Sequence, residues 1–544
     1  MRVNLKRHYV LLVLLVLLVA ALVMGLGDRR ITAYTVQGGG EMVTRGIDYG
    51  GDIDLFDDTV VHSIQILISG ADHEQMITTY QETGEKDYFH ADVIIDGVRV
   101  NNVGLRLKGN ASLMTALGRG GGADLGGRGG RFPRGGEVPE LDPQNPPDTG
   151  EMPNPFGEGN QPAFPGGQMP DPSADGERPV RPGEQMPGGG NMPFEPPDGV
   201  QGGPLPGDLA GGNVGRGQNS ADKIPLMIKF DGFVPGQTYQ GYSNLAIRTY
   251  GTSYDAAMLQ EPVTNHLFRL AGLPVTGTAY AGVRLNDEAE ELYTLSEVIN
   301  QDYLAKHFAN PNGVLYKAEV GATLGYAGED PSAYAERFTQ QTRINDADMA
   351  PLIAFARFLS ESDEAMFESE LPARLDVDAF ATYLAINTLV VNADSIIGMN
   401  NNYYLYYDDV LERFTLLMWD ANESLGKMGG DRAVEYNLYP TGRQAMRGPG
   451  GGTNNLVERF LANETFRALY ESKLTQVYLQ AFASGAITRQ IEQYASVVRQ
   501  ANEQRSLVEE QAYEQAVANT LDFIAERSAW LETTSLLARQ PGQD

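Results

Sequence analysis

The chain has 544 residues and no cysteine. That absence excludes disulfides, thiolate zinc sites, iron–sulfur clusters and a cysteine nucleophile. Basic side chains are scarce: 41 Lys and Arg stand against 71 Asp and Glu, a formal charge of −30. Nucleic-acid binding needs a basic surface that displaces counterions, so this balance argues against it. The six histidines (His8, His62, His73, His90, His266 and His307) never fall at the spacing of a helical metal-ligand pair. A Gly-x-Ser-x-Gly elbow is missing, which removes the usual signature of a serine hydrolase. The glycine runs at 120–122 and 448–452 lack the strand-then-helix setting of a phosphate loop.

Glycine and proline are plentiful but uneven. Residues 118–217 hold 28 Gly and 19 Pro of the totals of 63 and 30. Such a segment cannot bury enough apolar surface to offset its ordering entropy, and disorder is the expectation. Strand-like sequence borders it on both sides, so it reads as an insertion between two strands of one domain. At the amino terminus, residues 10–26 form an unbroken apolar run preceded by Arg2, Lys6 and Arg7. The positive charges place this end in the cytoplasm and the rest of the chain beyond the membrane. Residues 1–30 are expected to be a signal peptide or membrane anchor, and residues 31–56 a polar tether. A cysteine-free chain suits an extracytoplasmic location. The aspartates Asp52, Asp54, Asp57 and Asp58 read as a solvated acidic turn.

The remainder begins with β patterning. Residues 60–68 alternate and are rich in branched side chains. A short helix is predicted at 71–83. Strands follow at 88–95, 98–100 and 103–107, with Asp96-Gly97 as a hairpin turn. Past the insertion, strands are predicted at 223–231, 244–248, 278–285 and 292–297, with a helix over 254–271. Helical spacing dominates afterwards, at 349–360, 376–391 and most of 455–538. The fold class expected is α+β. A β-rich domain over 57–300 is interrupted by the insertion, and a mainly helical domain covers 301–540.

The stretch 392–426 is the densest in candidate chemistry. Asp394 follows an apolar helix and precedes Asn400, Asn401 and Asn402. Residues 403–407 and 413–418 read as a hairpin whose second strand delivers Asp420 behind Trp419. An Asp, then an Asn, then a second Asp leaving a strand is the layout by which kinases orient a hydroxyl and hold magnesium. Magnesium takes hard oxygen ligands and few carboxylates. Loop-capping Asp and Asn side chains would give the same spacing.

Several blocks together resemble the CotH (spore coat protein H) kinase family, a group of atypical protein-kinase-like proteins. They are Val103-Gly104-Leu105-Arg106-Leu107-Lys108-Gly109-Asn110, the strand at 223–231, Tyr293-Thr294-Leu295-Ser296-Glu297 and Leu315-Tyr316-Lys317. Asn392-Ala393-Asp394, Asn402-Tyr403-Tyr404-Leu405-Tyr406 and Trp419-Asp420 with Gly426 continue the series. Residues 457–466 and 523–527 close it. The likeness runs over residues 57–537 outside the insertion.

The resemblance implies a two-lobed protein-kinase-like fold, with a β-rich amino-terminal lobe and a mainly helical carboxy-terminal lobe. It also implies transfer of the ATP γ-phosphate to Ser or Thr of exported or surface proteins. Asp394 then takes the catalytic role, and Asp420 and Asn402 hold Mg2+, with Mn2+ as an alternative. Asn400 and Asn401 are neighbours that spacing does not separate from Asn402. Lys229 is expected to pair with Glu261 as the phosphate-binding clamp. Lys108 and Lys223 are rivals for that role, and Arg248 stands nearest the helix. Glu297 either helps form the nucleotide pocket or pairs with a neighbouring Arg. The His-Arg-Asp and Asp-Phe-Gly motifs of conventional kinases are absent. An acidic body is expected to need metal ions to admit ATP and to prefer a basic, Ser/Thr-rich protein substrate. A catalytically inactive surface scaffold, or a nucleotidyltransferase on the same fold, remains as an alternative.

Overall fold

The computed structural model describes residues 46–109, 113, 117, 223–250, 254–346, 348–428, 433–440 and 454–538. The amino-terminal apolar run and the Gly/Pro-rich segment lie outside the described residues. Every described residue belongs to one compact unit, which falls within Met1–Gly121 and Asn219–Asp544. Among the described residues no helix is long and apolar enough to cross a membrane.

Seven strands close into a barrel. They are β1 (Val61–Ile68), β2 (Phe89–Ile95), β3 (Val98–Leu107), β4 (Leu226–Lys229), β5 (Asn244–Arg248), β6 (Thr278–Leu285) and β7 (Glu291–Glu297). The order round the barrel is β1-β2-β3-β4-β5-β7-β6. Neighbours are antiparallel except β6 and β1, which pair in parallel from Val61 opposite Tyr280. Alternation puts Ile64, Ile66, Val103, Leu105, Leu107, Ile228 and Ile247 into one buried cluster. The intervening residues, Arg106, Lys108, Met227 and Asn244, face outward toward the cavity described below. The strands either side of the Gly/Pro-rich segment are ladder partners, with Leu107 opposite Leu226.

Helix α1 (Gly70–Thr83) connects β1 to β2. Its amino end is capped by Ser69, whose hydroxyl accepts from the Asp72 amide. Residues 98–107 form one strand rather than the two expected. Asn102 adopts φ +57° and its amide donates to Asp92 at 2.9 Å. The register slips between Ala91 and Val93, so a β-bulge absorbs Asn101-Asn102 without ending the strand. Helix α2 (Gln260–Leu270) starts six residues later than its pattern predicts. Met258 sits at φ +47°, and the Asp255 carboxylate accepts from the Ala257 and Met258 amides. That local turn competes with the first helical turns.

A second, four-stranded antiparallel sheet has the order β9-β8-β10-β11, from β8 (Val314–Ala318), β9 (Phe338–Gln340), β10 (Tyr403–Asp408) and β11 (Arg413–Met418). Helix α3 (Gln301–His307) precedes it in the chain. The helical remainder comprises α4 (Ala350–Glu361), α5 (Glu364–Arg374), α6 (Val377–Leu389), α7 (Asn455–Ala462), α8 (Glu464–Val477), α9 (Ala486–Arg505) and α10 (Glu510–Thr533). A π-helical turn, Tyr478–Ala483, follows α8. From Phe380 to Leu389, α6 is buried on every face, which explains why its sequence lacks a polar stripe.

One buried cation ties these helices together. Arg527 of α10 is 0% exposed. It donates to the carbonyls of Thr388 and Leu389 at the end of α6, and to those of Val434 and Tyr436. Burial pulls its pKa down to about 10, opposed by Tyr470 and Tyr436. Four carbonyls that have left water thus share one guanidinium. Replacing Arg527 with Met strands them, at a cost of about 3 kcal/mol or more. The expected result is a clearly lower urea midpoint for Arg527→Met. An unchanged midpoint contradicts this role.

Candidate active site

A cavity of about 570 Å³ lies beside the outward faces of β3 and β4. Its opposite wall is built by the segments flanking the β10–β11 hairpin. Helix α6 ends with Val391 at φ +52°, a costly conformation for a β-branched residue. The Asn392 amide reaches back to the Asn387 carbonyl at 2.8 Å, and their side chains are also hydrogen-bonded. The chain then doubles back on itself. The Met399 amide donates to the Ala393 carbonyl, and a Cβ on Gly398 would lie 2.1 Å from that oxygen. This tight loop presents Asp394 to the cavity.

The three asparagines separate into two roles. Asn400 is buried, accepts from Asn454 Nδ2 at 3.0 Å, and its carbonyl accepts from the Ala322 amide. It is a structural anchor. Asn401 and Asn402 line the cavity and donate to the two carboxylate oxygens of Asp394, at 3.1 and 2.8 Å. Asn400 and Asn402 both adopt positive φ, which Asn tolerates better than most residues. Burial pushes the Asp394 pKa up from 3.8 to about 6. The Asn401 hydrogen bond opposes that shift, nearby Glu423 adds to it, and Asn402 opposes it.

Asp420 emerges from β11 at φ +57° and also lines the cavity. Arg248, at the end of β5, bonds to Asp420 and pairs through Nε with Glu261 at 2.8 Å. Arg248 and Glu261 are both nearly buried. Glu261 stands in the first turn of α2 and also accepts from Ser296 Oγ at 3.1 Å. The expected Lys229–Glu261 pair does not form. Lys229 lies off the cavity, beside Asp231 at 3.9 Å and over the Tyr88 ring at 5.9 Å. Arg248 takes the glutamate because it ends its strand against α2, whereas Lys229 ends β4 on the far side of Asn244. Lys223 instead donates to the Leu292 carbonyl. Glu297 accepts from the Gly277 amide and pairs with Lys306, so its partner is a lysine and it does not line the cavity.

Lys108 does reach the cavity. Its ammonium sits 4.8 Å from the Trp419 ring centre, and the Arg248 guanidinium 5.3 Å from the same ring. Burial first, and then Arg248, hold the Lys108 pKa well below the ordinary lysine value. Lys86, Arg106 and Lys317 line the same wall. The Lys86 pKa is lowered by burial and by Arg106 and Lys317. Four cations gather at the cavity, in a chain of charge −30, with Glu319 paired to Lys317 at 3.4 Å among them, and Asp394, Asp420 and Glu423 also line it. The positions of Lys86, Lys317 and Glu423 were not predicted. The Arg106-x-Lys108 alternation was the one local signal of a basic face, because Leu105 and Leu107 take the opposite face of the strand.

Among the described residues no three His, Asp or Glu side chains cluster closely enough to form a self-contained metal centre. The oxygens on the acidic wall still fit a hard divalent ion, which commonly uses one or two carboxylates and completes its shell with water and phosphate. The Asp420 carboxylate and the side-chain oxygen of Asn402, whose Nδ2 donates to Asp394, would be the oxygens to hold it. Near the amino terminus, Asp54 and Asp57 accept from backbone amides in their own turns, and Asp58 pairs with Arg269.

Lys86, Arg106, Lys108 and Lys317 thus share one cavity with Asp394 of the loop after α6 and Asp420 of the segment leaving the hairpin. The family model described as "CotH kinase protein" matches residues 212–531, and the chain belongs to that family. It is similar to the inner spore coat protein H of Bacillus subtilis strain 168, with 23% identity over 234 residues. That match takes in 42% of this chain and 60% of the relative. Two solved structures are also similar. The proinflammatory kinase CtkA of Helicobacter pylori matches at a TM-score of 0.26 and 10% identity, covering 54% of this chain and 89% of that one. The toxin–antitoxin HipA, HipB and operator DNA complex of Shewanella oneidensis MR-1 matches at 0.25 and 12%, covering 52% and 57%.

The raised pKa of Asp394 carries a stability consequence. The native state holds this proton more tightly than the unfolded chain, so stability falls as pH rises from about 4 to about 6. Above that window the ionised form costs about 1–3 kcal/mol. Asp394→Asn removes the charge and keeps the shape. Its urea midpoint should exceed that of the wild type at pH 7.5 and match it at pH 4. Parallel midpoints at both values contradict the assignment.

Proposed function

We propose that the chain is an ATP-dependent atypical protein kinase of two-lobed architecture. It transfers the γ-phosphate to Ser or Thr of exported or surface proteins. The observation that carries this reading is the opposition of Asp394 and Asp420 to Lys86, Arg106, Lys108 and Lys317 across one cavity. The barrel with α2 and α3 forms the first lobe in this reading, and the helices with the second sheet form the other. The triphosphate of ATP lies against the cationic wall, where crowded positive charges gain most from a polyanion.

Asp394 accepts a hydrogen bond from the substrate hydroxyl and orients it. The hydroxyl oxygen forms a bond to the γ-phosphorus as the bond from that phosphorus to the β–γ bridging oxygen breaks. ADP leaves with the electron pair, and the hydroxyl proton passes to Asp394 and then to solvent. Asn401 and Asn402 hold the carboxylate in place, which is positioning rather than chemistry. A divalent ion held by Asp420 and Asn402 supplies charge neutralisation to the phosphates. The family membership supports nucleotide and metal use in general, and ATP with Mg2+ or Mn2+ is the specific proposal. The acidic body favours a basic protein substrate. The named relative, a spore coat protein, and the apolar run at residues 10–26 support an extracytoplasmic surface location.

The test incubates the protein with Mg2+, a basic Ser-containing protein and ATP labelled at the γ- or the α-phosphate. Transfer of γ-label that is lost in Asp394→Ala and Asp420→Ala, by about 100-fold or more, is the expected result. Transfer of α-label would replace the kinase by a nucleotidyltransferase. Absence of both transfer and ATP-dependent thermal stabilisation would leave a binding scaffold. Because a base of pKa about 6 must be ionised to accept the proton, the rate should rise with pH through that value.

A further inference from the structure

Arg248 is placed oddly for a simple structural salt bridge. Its guanidinium binds the buried Glu261 on one side and reaches Asp420, a cavity-lining carboxylate, on the other. The Asp420 side chain is 25% exposed, against 6% for that of Arg248 and 4% for that of Glu261. Nη1 of Arg248 is buried and finds no hydrogen-bond partner among the described residues. This cation and Lys108 both lie near the Trp419 ring, 5.3 and 4.8 Å from its centre. The group that binds Asp420 is therefore desolvated, incompletely satisfied and crowded by a second positive charge.

We infer that Arg248 is an internal counter-cation of the Asp420 site, a latch that competes with a divalent ion for that carboxylate. The inference rests on the reading of Asp420 as metal-holding. Where Arg248 neutralises Asp420, a free divalent ion gains little there, since it must displace the guanidinium and then lie close to two cations. A nucleotide changes the balance. Its phosphates screen Lys108 and Arg248 and bring further oxygen ligands, so metal and nucleotide bind together far better than either alone. Arg248 thereby keeps the site from filling with metal in the absence of nucleotide, and it acts as a positioning residue on Asp420.

Binding of Mn2+, followed by the electron paramagnetic resonance of the free ion, tests this without turnover. The wild type should bind Mn2+ weakly alone and much more tightly with a non-hydrolysable ATP analogue. The double variant Arg248→Met with Glu261→Gln removes the cation and its buried partner together, so no buried charge is left unpaired. It should bind Mn2+ alone about tenfold more tightly, with a smaller further gain from the analogue. Arg248→Lys, which keeps a cation in the fold but cannot bridge both carboxylates, should shift in the same direction by less. Adding Asp420→Asn to either variant should abolish the gain. Unchanged or weaker Mn2+ binding on loss of Arg248 overturns the inference, as does a gain that survives Asp420→Asn. The kinase reading fails separately, if the wild type binds neither the analogue nor its Mn2+ complex. Tighter Mn2+ binding in the variants would leave the latch standing even then.

Discussion

Arg248 joins three parts of the chain through one guanidinium. It ends a barrel strand, grips the first turn of α2 through Glu261, and reaches the segment leaving the β10–β11 hairpin through Asp420. The contact brings together one positive and two negative charges at low exposure. Arg248 is the member it cannot lose, because without that cation two neighbouring carboxylates have no counter-charge. The shape of the cavity depends on it, since Arg106 and Lys108 come from the barrel while Asp394 and Asp420 come from the segments flanking the hairpin. Arg527 performs a parallel task on the other side of Asp394. It holds the end of α6, from which the Asp394 loop departs.

The loop itself spends conformational energy. Val391, Asn400, Asn402, Asp420 and Leu425 all carry positive φ within a short stretch. Non-glycine residues in this region cost of order 1 kcal/mol each, and they persist where packing over-determines them. Here the packing comes from a helix buried on every face and from Gly426, where a Cβ would lie 2.3 Å from the Phe523 ring. The reward is an Asp394 carboxylate held by two amides and a partly desolvated site.

Much of the framework was legible in the sequence. Strands 244–248, 278–285 and the hairpin were readable as short β-rich runs bounded by turn residues, although each is buried on both faces over most of its length. Both aspartates and Asn402 were readable because their loop and strand contexts are local. The failures have a common cause in side-chain reach. Lys229 and Arg248 lie on adjacent strands, one pairing with Asn244 and the other with Thr294, and sequence spacing does not reveal which end meets α2. Helix α2 was drawn too early because the Asp255 turn and the backbone at Met258 leave no trace in apolar periodicity. Asn101-Asn102 looked like a strand break, since a bulge and a turn favour the same residues.

The parallel pairing of β1 with β6 bears on how the chain is made. Val61 finds its partner Tyr280 only after the intervening chain has been synthesised. At 5–20 residues per second, β1 waits roughly ten to forty seconds with one edge open. An open edge is a template for pairing with other chains. During that interval the nascent protein depends on whatever shields β1; β6 then covers that edge, and the barrel closes only when β7 joins β6 to β5.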